Sequence, residues 1–114
     1  MHEMSLAMNI VDIACTKATE AGGTAIREIE VEVGRLAGVM VESLSFCFSA
    51  ATHGTMAEGA ELRIIDTPAE AECMECRTKF AIESCWGRCP SCDSWRLDVL
   101  KGRELRVLSI TFDE

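Results

Sequence analysis

The sequence Cys73-Met-Glu-Cys76 is followed after 12 residues by Cys89-Pro-Ser-Cys92, and these two CxxC pairs are the most informative motif of the chain. A CxxC turn directs two thiolates at one point, and two such turns complete a closed tetrahedral zinc site. The residues between the turns are enough for a short hairpin that brings them together. The spacing therefore predicts a structural zinc ion with no open coordination position for a substrate. Its ligands are Cys73, Cys76, Cys89 and Cys92.

Two redox-active dithiols are the alternative interpretation of these cysteines. A thioredoxin-like motif has a single CxxC that follows a strand and opens a helix, whereas this chain has two pairs. The chain contains seven cysteines, and this odd number without a signal peptide disfavours a secreted disulfide framework. Cys85 lies four positions before Cys89 and is interpreted as a spare thiol. We expect Phe80, Trp86 and Trp95 to cover the site as a small apolar shell.

Helical periodicity appears in two segments that precede the cysteines. The first runs from Met4 to Ala21, with Ser5 as its N-cap and Gly22-Gly23 as its stop. Its predicted core face comprises Met4, Met8, Val11, Cys15 and Ala18, widened by Ile10 and Ala14. The second helix is predicted over residues 41–52 and ends at His53-Gly54. Its predicted buried face comprises Val41, Leu44, Phe48 and Ala51, with Cys47 beside them.

Three segments have the pattern of strands. Residues 27–33 alternate Ile29, Val31 and Val33 with two glutamates, which predicts a half-buried strand with a solvated acidic face. Residues 62–65 form a short second strand. Residues 105–112 form the last strand, with Leu108, Ile110 and Phe112 on its apolar face. The stretch Asp66-Thr-Pro-Ala-Glu-Ala-Glu72 is predicted to be a linker that leads into the cysteine-rich segment.

These elements predict an α+β fold: two helices on a three-stranded antiparallel or mixed sheet, with an inserted zinc-ribbon-like module that contains the four paired cysteines. The last strand follows the cysteine-rich segment, and alone it would leave an unpaired edge. We therefore expect it to return to the first sheet. The chain then consists of an α/β domain into which the zinc module is inserted.

Length and charge limit the classes of function. The chain has 114 residues and a net charge of −8, from 11 basic and 19 acidic residues. An acidic chain is a poor candidate for binding nucleic acid through phosphates. No apolar run approaches the roughly 20 residues of a membrane span, and no signal peptide or lipidation motif is evident. We expect a cytoplasmic protein that binds neither nucleic acid nor membrane.

The first residues, Met1-His2-Glu3, suggest a second metal site. The terminal amine, the backbone nitrogen of His2 and its imidazole can chelate one ion in adjacent rings. Ni²⁺ and Cu²⁺ favour planar nitrogen sets of this kind. Glu3 can assist by charge or by coordination. The other histidine, His53, is interpreted as a surface residue near a helix end.

Several motifs, in this order along the chain, resemble the HypA/HybF family of nickel-insertion proteins for [NiFe]-hydrogenase maturation. They are Met1-His-Glu-Met-Ser-Leu-Ala7, Ile29-Glu-Val-Glu-Val-Gly34, Leu44-Ser-Phe-Cys-Phe48 and the two CxxC pairs. The resemblance covers essentially the whole chain. The spare thiol Cys85 is a departure from the family pattern.

The resemblance implies a nickel metallochaperone and not an enzyme. It implies nickel bound at the N-terminus by His2 with Met1 and Glu3, and zinc bound by the four paired cysteines. It divides the chain into a nickel-binding domain (residues 1–66 and 104–114) and an inserted zinc-binding domain (residues 67–103). It implies as partners the maturation GTPase HypB and the large subunit of a [NiFe]-hydrogenase, and it leaves a role for urease open. Monomer and homodimer are both compatible with the sequence.

Two alternatives from other classes of protein stay open on the sequence. A zinc-ribbon module for protein interaction would have no nickel role, so replacing His2 would leave its function unchanged. A thiol oxidoreductase would turn over a dithiol substrate and hold no tightly bound zinc.

Overall fold

The computed structural model describes residues 2–84 and 87–114, and it has an α+β fold. The predicted fold class is confirmed: two helices accompany two three-stranded sheets, one of them next to a four-cysteine cluster. In chain order the elements are α1 (Glu3–Glu20), β1 (Ala25–Gly34), α2 (Val41–Ala51), β2 (Glu61–Thr67), β3 (Ala69–Cys73), β4 (Lys79–Ile82), β5 (Leu97–Lys101) and β6 (Leu105–Asp113).

The first sheet has the strand order β2-β1-β6, so the last strand returns to it as the sequence predicts. The β1 and β6 strands are antiparallel, because Thr24 N–H donates to the Asp113 carbonyl and Gly34 N–H donates to that of Glu104. The β1 and β2 strands run parallel. Ile26 N–H donates to the carbonyl of Met56, which precedes β2, and Arg35 N–H donates to the carbonyl of Thr67 at the end of β2. Parallel neighbours need a crossover connection, and α2 lies in that connection. The sheet is therefore mixed.

The α1 helix buries a face made largely of small side chains, and the predicted face was partly wrong. Its buried residues are Leu6, Ala7, Ile10, Val11, Ala14 and Ala18. Met8 is 58% exposed and Met4 is exposed as well, while Cys15 is half-buried. Alanines at this spacing let the helix backbone approach its neighbours closely, a contact that long methionine side chains would prevent.

The ends of the helices also differ in detail from the prediction. The α1 helix begins earlier than expected, because the N-cap is His2 and not Ser5. Leu6 N–H donates to the His2 carbonyl at 3.1 Å, which closes the first turn before Ser5. Gly22, with φ +84°, ends the helix as predicted, since glycine adopts the left-handed conformation without strain. In α2, Leu44 and Phe48 are buried as predicted, but Val41 is exposed and Cys47 is half-buried.

The β1 strand is the central strand of the first sheet, and it supplies the largest fully buried side chains there. Ile29 and Val31 have no exposed surface, as their alternation predicts. Its acidic face is not simply solvated. The Glu32 side chain is only 14% exposed and lies 2.6 Å from Arg106 on β6, while Glu30 lies 4.0 Å from Arg63 on β2. Because β1 is the central strand, its glutamates have basic neighbours on both adjacent strands, so they form ion pairs where solvation alone was expected.

The second sheet, in the order β4-β3-β5, contains the segment that the sequence suggested was a linker. The prediction was wrong, because Thr67 ends β2 and residues 69–73 form β3. Ala69 and Ala71 are buried in the β3 strand, while Glu70 and Glu72 alternate with them. Ile82 on β4 completes a small apolar cluster, against which Leu36, Phe80, Leu97 and Val99 pack. The period of two, and not the overall polarity, was the informative signal.

The chain forms two compact units. The first comprises Met1–Glu32, Val39–Ile65 and Arg106–Glu114, and the second comprises Val33–Gly38 and Asp66–Leu105. Among the described residues, neither helix has the length and apolar character needed to cross a membrane.

Candidate metal centre

Two turns with the same backbone geometry build the four-cysteine cluster. In the first turn, Cys73 N–H donates to the Thr78 carbonyl at 2.9 Å, and Arg77 N–H donates to the Cys73 carbonyl at 2.9 Å. The second turn repeats both bonds, at 2.9 Å between Cys89 and Ser94 and at 2.8 Å between Asp93 and Cys89. The sequence CMECRT is thus a structural counterpart of CPSCDS.

Each turn reverses through one residue in the left-handed backbone region. These residues are Arg77, with φ 64°, and Asp93, with φ 62°. A residue with a Cβ atom is strained in this region, typically by about 1–2 kcal/mol, although Asp tolerates it better than Arg. The left-handed conformation lets each turn fold back so that its two cysteines face the same point.

The four thiols converge closely enough to hold one metal ion. All four sulfur atoms lie within 4.8 Å of one another. The Sγ atoms of Cys73 and Cys92 are 3.5 Å apart, as are those of Cys76 and Cys89. A tetrahedral zinc ion with bonds of about 2.3 Å places its sulfur ligands about 3.8 Å apart, so the donor set fits such an ion. Cys73 and Cys89 are buried, whereas their partners Cys76 and Cys92 are exposed.

Backbone and hydroxyl donors stabilise negative charge on the sulfur atoms. Cys73 Sγ accepts hydrogen bonds from the N–H groups of Glu75, at 3.4 Å, and Cys76, at 3.5 Å. Cys89 Sγ accepts one from Ser91 N–H at 3.4 Å, which repeats the pattern in the second turn. The Thr78 hydroxyl lies 3.2 Å from Cys76 Sγ. Thiolates, and not thiols, bind metal ions, so these donors favour the metal-binding form.

The pKa values of the thiols are spread apart. Hydrogen bonds from the Thr78 hydroxyl and backbone lower the pKa of Cys76 to about 6. The backbone N–H of Cys76 is the largest cause of a lowered pKa at Cys73. Ser94 N–H lowers the pKa of Cys92, but the neighbouring sulfur atoms and burial raise it more, to about 12. Like charges at short distance cannot all form without a cation, which is the reason for the spread.

The two described residues of the expected aromatic shell, Phe80 and Trp95, do not enclose this cluster. Trp95 is 60% exposed, and the Arg88 guanidinium lies 4.3 Å from the centre of its ring. Phe80 packs against the apolar cluster of the second sheet instead. Cys85 and Trp86 lie outside the described residues.

Two of the predicted nickel-binding residues, His2 and Glu3, lie at the start of α1, in the first compact unit. His2 is exposed and has an extended backbone, with φ −84° and ψ 130°. Glu3 is the first helical residue, and its carboxylate accepts a hydrogen bond from Met40 N–H, the N-cap of α2, at 3.5 Å. Met1 lies outside the described residues. His53 is a surface residue as expected, and its Nδ1 lies 3.6 Å from Glu58.

The sequence interpretation missed the residues that support the cysteines. Thr78 and Ser94 each follow the second cysteine of a pair by two positions, and each accepts the first backbone bond of its turn. The signal that could have identified them is the repeat of a hydroxyl residue at that position in both turns. The contact between Glu3 and Met40 joins residues 37 positions apart and has no comparable signal.

A family profile described as "Hydrogenase/urease nickel incorporation, metallochaperone, hypA" matches residues 1–112. The chain belongs to the HypA family. It is similar to the hydrogenase maturation factor HypA of Chlorobaculum tepidum, with 48% identity over 113 residues that cover 99% of this chain and 100% of the relative. It is also similar to that of Azotobacter vinelandii, with 46% identity over 107 residues that cover 94% and 95% of the two chains.

A solved structure agrees with the fold of this HypA-family chain. The solution structure of the Ni metallochaperone HypA from Helicobacter pylori superimposes with a TM-score of 0.69, at 23% identity, over 99% of this chain and 98% of that one. The family is one of metallochaperones for hydrogenase maturation. The chain is accordingly a metallochaperone and not an enzyme, and it has a four-cysteine group suited to a metal ion.

Proposed function

We propose that this chain binds Ni(II) at its N-terminus and delivers it for [NiFe]-hydrogenase maturation, while a zinc ion in the four-cysteine cluster stabilises the second unit. The observation that carries the proposal is that the chain holds two chemically different donor sets in different units. Four convergent thiols suit a closed tetrahedral site. An exposed imidazole at the head of α1 suits an ion that must be released.

The nickel ligands in this proposal are the terminal amine of Met1, the backbone nitrogen of His2 and the His2 imidazole, with Glu3 beside them. Nitrogen donors in adjacent chelate rings match the tetragonal geometry that Ni(II) accepts. A chain terminus can move away from the protein, which favours transfer to an acceptor. Zinc in the cluster supplies folding energy to a module with a small apolar core, and no transfer step passes through it.

The partners in this proposal are the maturation GTPase HypB and the large subunit of a [NiFe]-hydrogenase, with urease as a further acceptor. Residues 1–66 and 104–114 form the nickel-binding domain, and residues 67–103 form the zinc-binding domain. The protein works in the cytoplasm.

Metal analysis and nickel titration of untagged protein test the proposal. The chain has two histidines, so His53→Ala is a matched control for His2→Ala. His53 is exposed in the same unit and lies 3.6 Å from Glu58. We expect wild type and H53A to hold one zinc ion and bind one nickel ion per chain. H2A is expected to keep zinc and lose nickel.

Equal nickel binding by H2A and wild type would exclude His2 as a ligand and favour the zinc-ribbon interaction module. Nickel affinity should also rise from about pH 5 to about pH 8, because imidazole and amine ligands must lose protons before they bind. A flat affinity over this range would contradict nitrogen ligation at the N-terminus. Protein without bound zinc that turns over a dithiol substrate would instead favour the oxidoreductase.

A further inference from the structure

A groove of about 600 Å³ lies between α1 and the C-terminal end of α2 with the turns that follow it. Side chains from Met8 to Cys15 of α1 line one wall, and Ala51, Thr55 and Met56 line the other. The groove lies within the first compact unit and contains none of the proposed metal ligands. The proposed metal sites therefore do not account for it.

The surface of the groove is apolar and adaptable. Val11 is buried at its base, Cys15 and Met56 are half-buried, and Met8 is 58% exposed. The Thr19 hydroxyl lies 3.5 Å from the sulfur of Met56, which holds that side chain beside α1. Methionine side chains are unbranched and polarizable, so they adjust to apolar partners of different shape. The groove thus offers apolar contacts that can adapt to a bound segment.

The backbone of the walls determines which kind of segment can bind. None of the described residues that line the groove belongs to a strand. In the turns after α2, the N–H groups of Thr55 and Glu58 donate to the carbonyls of Thr52 and Thr55. An extended peptide would find no strand edge to pair with. A bound segment must satisfy its own backbone hydrogen bonds, which an amphipathic helix does.

The charge of the first unit favours a basic helix. This unit has 11 acidic and 4 basic residues, a net charge of −7, whereas the second unit has 8 and 7. Arg27, Arg63 and Arg106 pair with carboxylates of the first sheet, and Lys17 pairs within α1. All four cations are therefore engaged. In the part of the chain that the structure describes, Asp12 in the groove has no ion-pair partner.

We propose that this groove binds a basic amphipathic helix of a partner protein. Apolar side chains on one face of the helix enter between Met8 and Met56, and a lysine or arginine beside them pairs with Asp12. The net negative charge of the unit attracts such a helix, and the single carboxylate in the groove fixes its register. Binding needs neither nickel nor a ligand of the proposed metal sites.

Fluorescence anisotropy with two synthetic amphipathic helices of about five turns tests the proposal. Both peptides have leucine along one face, and the remaining positions are lysine in one and glutamate in the other. We expect the lysine peptide to bind the full-length, zinc-loaded chain at least about tenfold more tightly than the glutamate peptide. In amide NMR spectra, the largest shifts on binding should occur in residues 8–15 and 51–56.

Variants with matched controls locate the contact. Asp12→Asn should weaken binding of the lysine peptide about threefold, the effect of one exposed ion pair. Glu61→Gln removes the same charge from an exposed position on β2 of the same unit and should change the affinity by less than about 1.5-fold. Met8→Gln should weaken binding about tenfold. Met40→Gln alters a methionine that is 67% exposed outside the groove, and it should bind as wild type does.

Equal losses in Asp12→Asn and Glu61→Gln would indicate attraction to the acidic chain as a whole and would overturn the proposal. Equal affinities for the two peptides, or amide shifts centred outside the groove, would overturn it as well. So would the absence of binding by either peptide up to about 1 mM. His2→Ala should bind the lysine peptide as wild type does, so the outcome is separate from that of nickel binding. Circular dichroism establishes that each variant is folded.

Discussion

At the scale of single residues, the carboxylate of Glu3 has two possible roles at the N-terminus, and substitution can separate them. It accepts a hydrogen bond from Met40 N–H at the start of α2. Glu3→Gln keeps an acceptor for this bond and removes the charge, whereas Glu3→Ala removes both. If Glu3 acts by fixing the position of the N-terminus, the nickel affinity of the Glu3→Gln variant should be within about threefold of that of wild type. Ala should weaken binding about tenfold, the size expected for one hydrogen bond.

Calorimetric titration with nickel measures both variants under one condition. Loss of affinity in the Gln variant, as large as that in the Ala variant, would show that the charge or a direct bond to nickel matters and would contradict a positioning role. Zinc content should stay at one ion per chain in both variants, since Glu3 belongs to the other compact unit.

The hydroxyl of Thr78 should set the pH at which the cluster loses its metal ion. Its hydrogen bond is the largest cause of the low pKa of Cys76, about 6. Thr78→Val removes the hydroxyl and keeps the shape, so the pKa of Cys76 rises toward its ordinary value of 9.0. Protons then compete for this sulfur at a higher pH. During acidification, the variant should release zinc at a pH higher by up to about one unit.

A chromophoric zinc indicator followed across the pH range measures the release. Ser91→Ala is the control, because its hydroxyl lies 3.4 Å from that of Thr78 while its backbone, which this change preserves, bonds Cys89. Ser91→Ala should release zinc at the wild-type pH. A shift of equal size in both variants would mean that loss of any nearby hydroxyl explains the effect.

At the four-cysteine cluster, the sequence predicted the ligands but not the backbone features that support them. The spacing of the two CxxC pairs identified four cysteines that the structure brings within 4.8 Å of one another. The strained backbone at Arg77 and the sulfur-directed N–H groups were not evident, because they follow from how the turn closes and not from residue type. Trp95 was expected to be part of a shell, since the hydrophobicity of an aromatic residue does not reveal whether it packs inward or stacks with an arginine.

At the scale of elements, the period of a pattern was more informative than its composition. The Ala-Glu alternation of residues 69–72 is a strand despite its polarity. In α1, the methionines suggested a face rotated away from the alanine-rich face that is buried, although the predicted residues Ile10, Val11, Ala14 and Ala18 are buried there. In β6, Ile110 and Phe112 are half-buried as predicted, but Leu108 is exposed. Close packing favours small residues on the buried face of a helix, and a hydrophobicity pattern underestimates the burial of such residues.

The turn between β5 and β6 requires glycine at position 102. Gly102 has φ +120°, and a Cβ atom there would lie 2.6 Å from the Cβ of Ala69 on β3. Gly102→Ala should therefore lower the free energy of unfolding by about 2–4 kcal/mol, from backbone strain and steric overlap together. Urea denaturation of the zinc-loaded protein measures the change.

Gly38 offers a control within the same compact unit. It also has a positive φ, +75°, but a Cβ atom there would meet nothing within 4 Å. Gly38→Ala should lower the free energy of unfolding by only about 1–2 kcal/mol, the strain alone. Equal losses in the two variants would show that the contact with Ala69 relaxes without a penalty.

At the scale of the whole molecule, the two compact units differ in what stabilises them. The first contains buried Ile29, Val31, Leu44 and Phe48, enough for a hydrophobic core. The buried apolar cluster of the second comprises the small side chains Ala69 and Ala71 with Ile82, and half-buried residues pack around it. A core of this size rarely stabilises a domain without a metal ion or a covalent link. The second unit should therefore depend on its metal ion.

Removal of the metal should consequently unfold the second unit and leave the first folded. Without a cation, four sulfur atoms within 4.8 Å repel one another as they ionise, and the binding energy of the ion is lost from the folded state. In amide NMR spectra of chelator-treated protein, signals from residues 66–105 should collapse toward unfolded positions. Those of α1 and α2 should stay dispersed, and Cys73→Ser should have the same effect without a chelator.

Cys15→Ser is the control for that substitution, because Cys15 is a half-buried thiol of α1 outside the cluster. It should leave zinc content and the signals of the second unit unchanged. Loss of dispersion throughout the chain after metal removal would mean that the two units fold as one cooperative body. In that case zinc would determine the stability of the α1 N-terminus as well, and nickel binding at His2 would fall whenever zinc is removed.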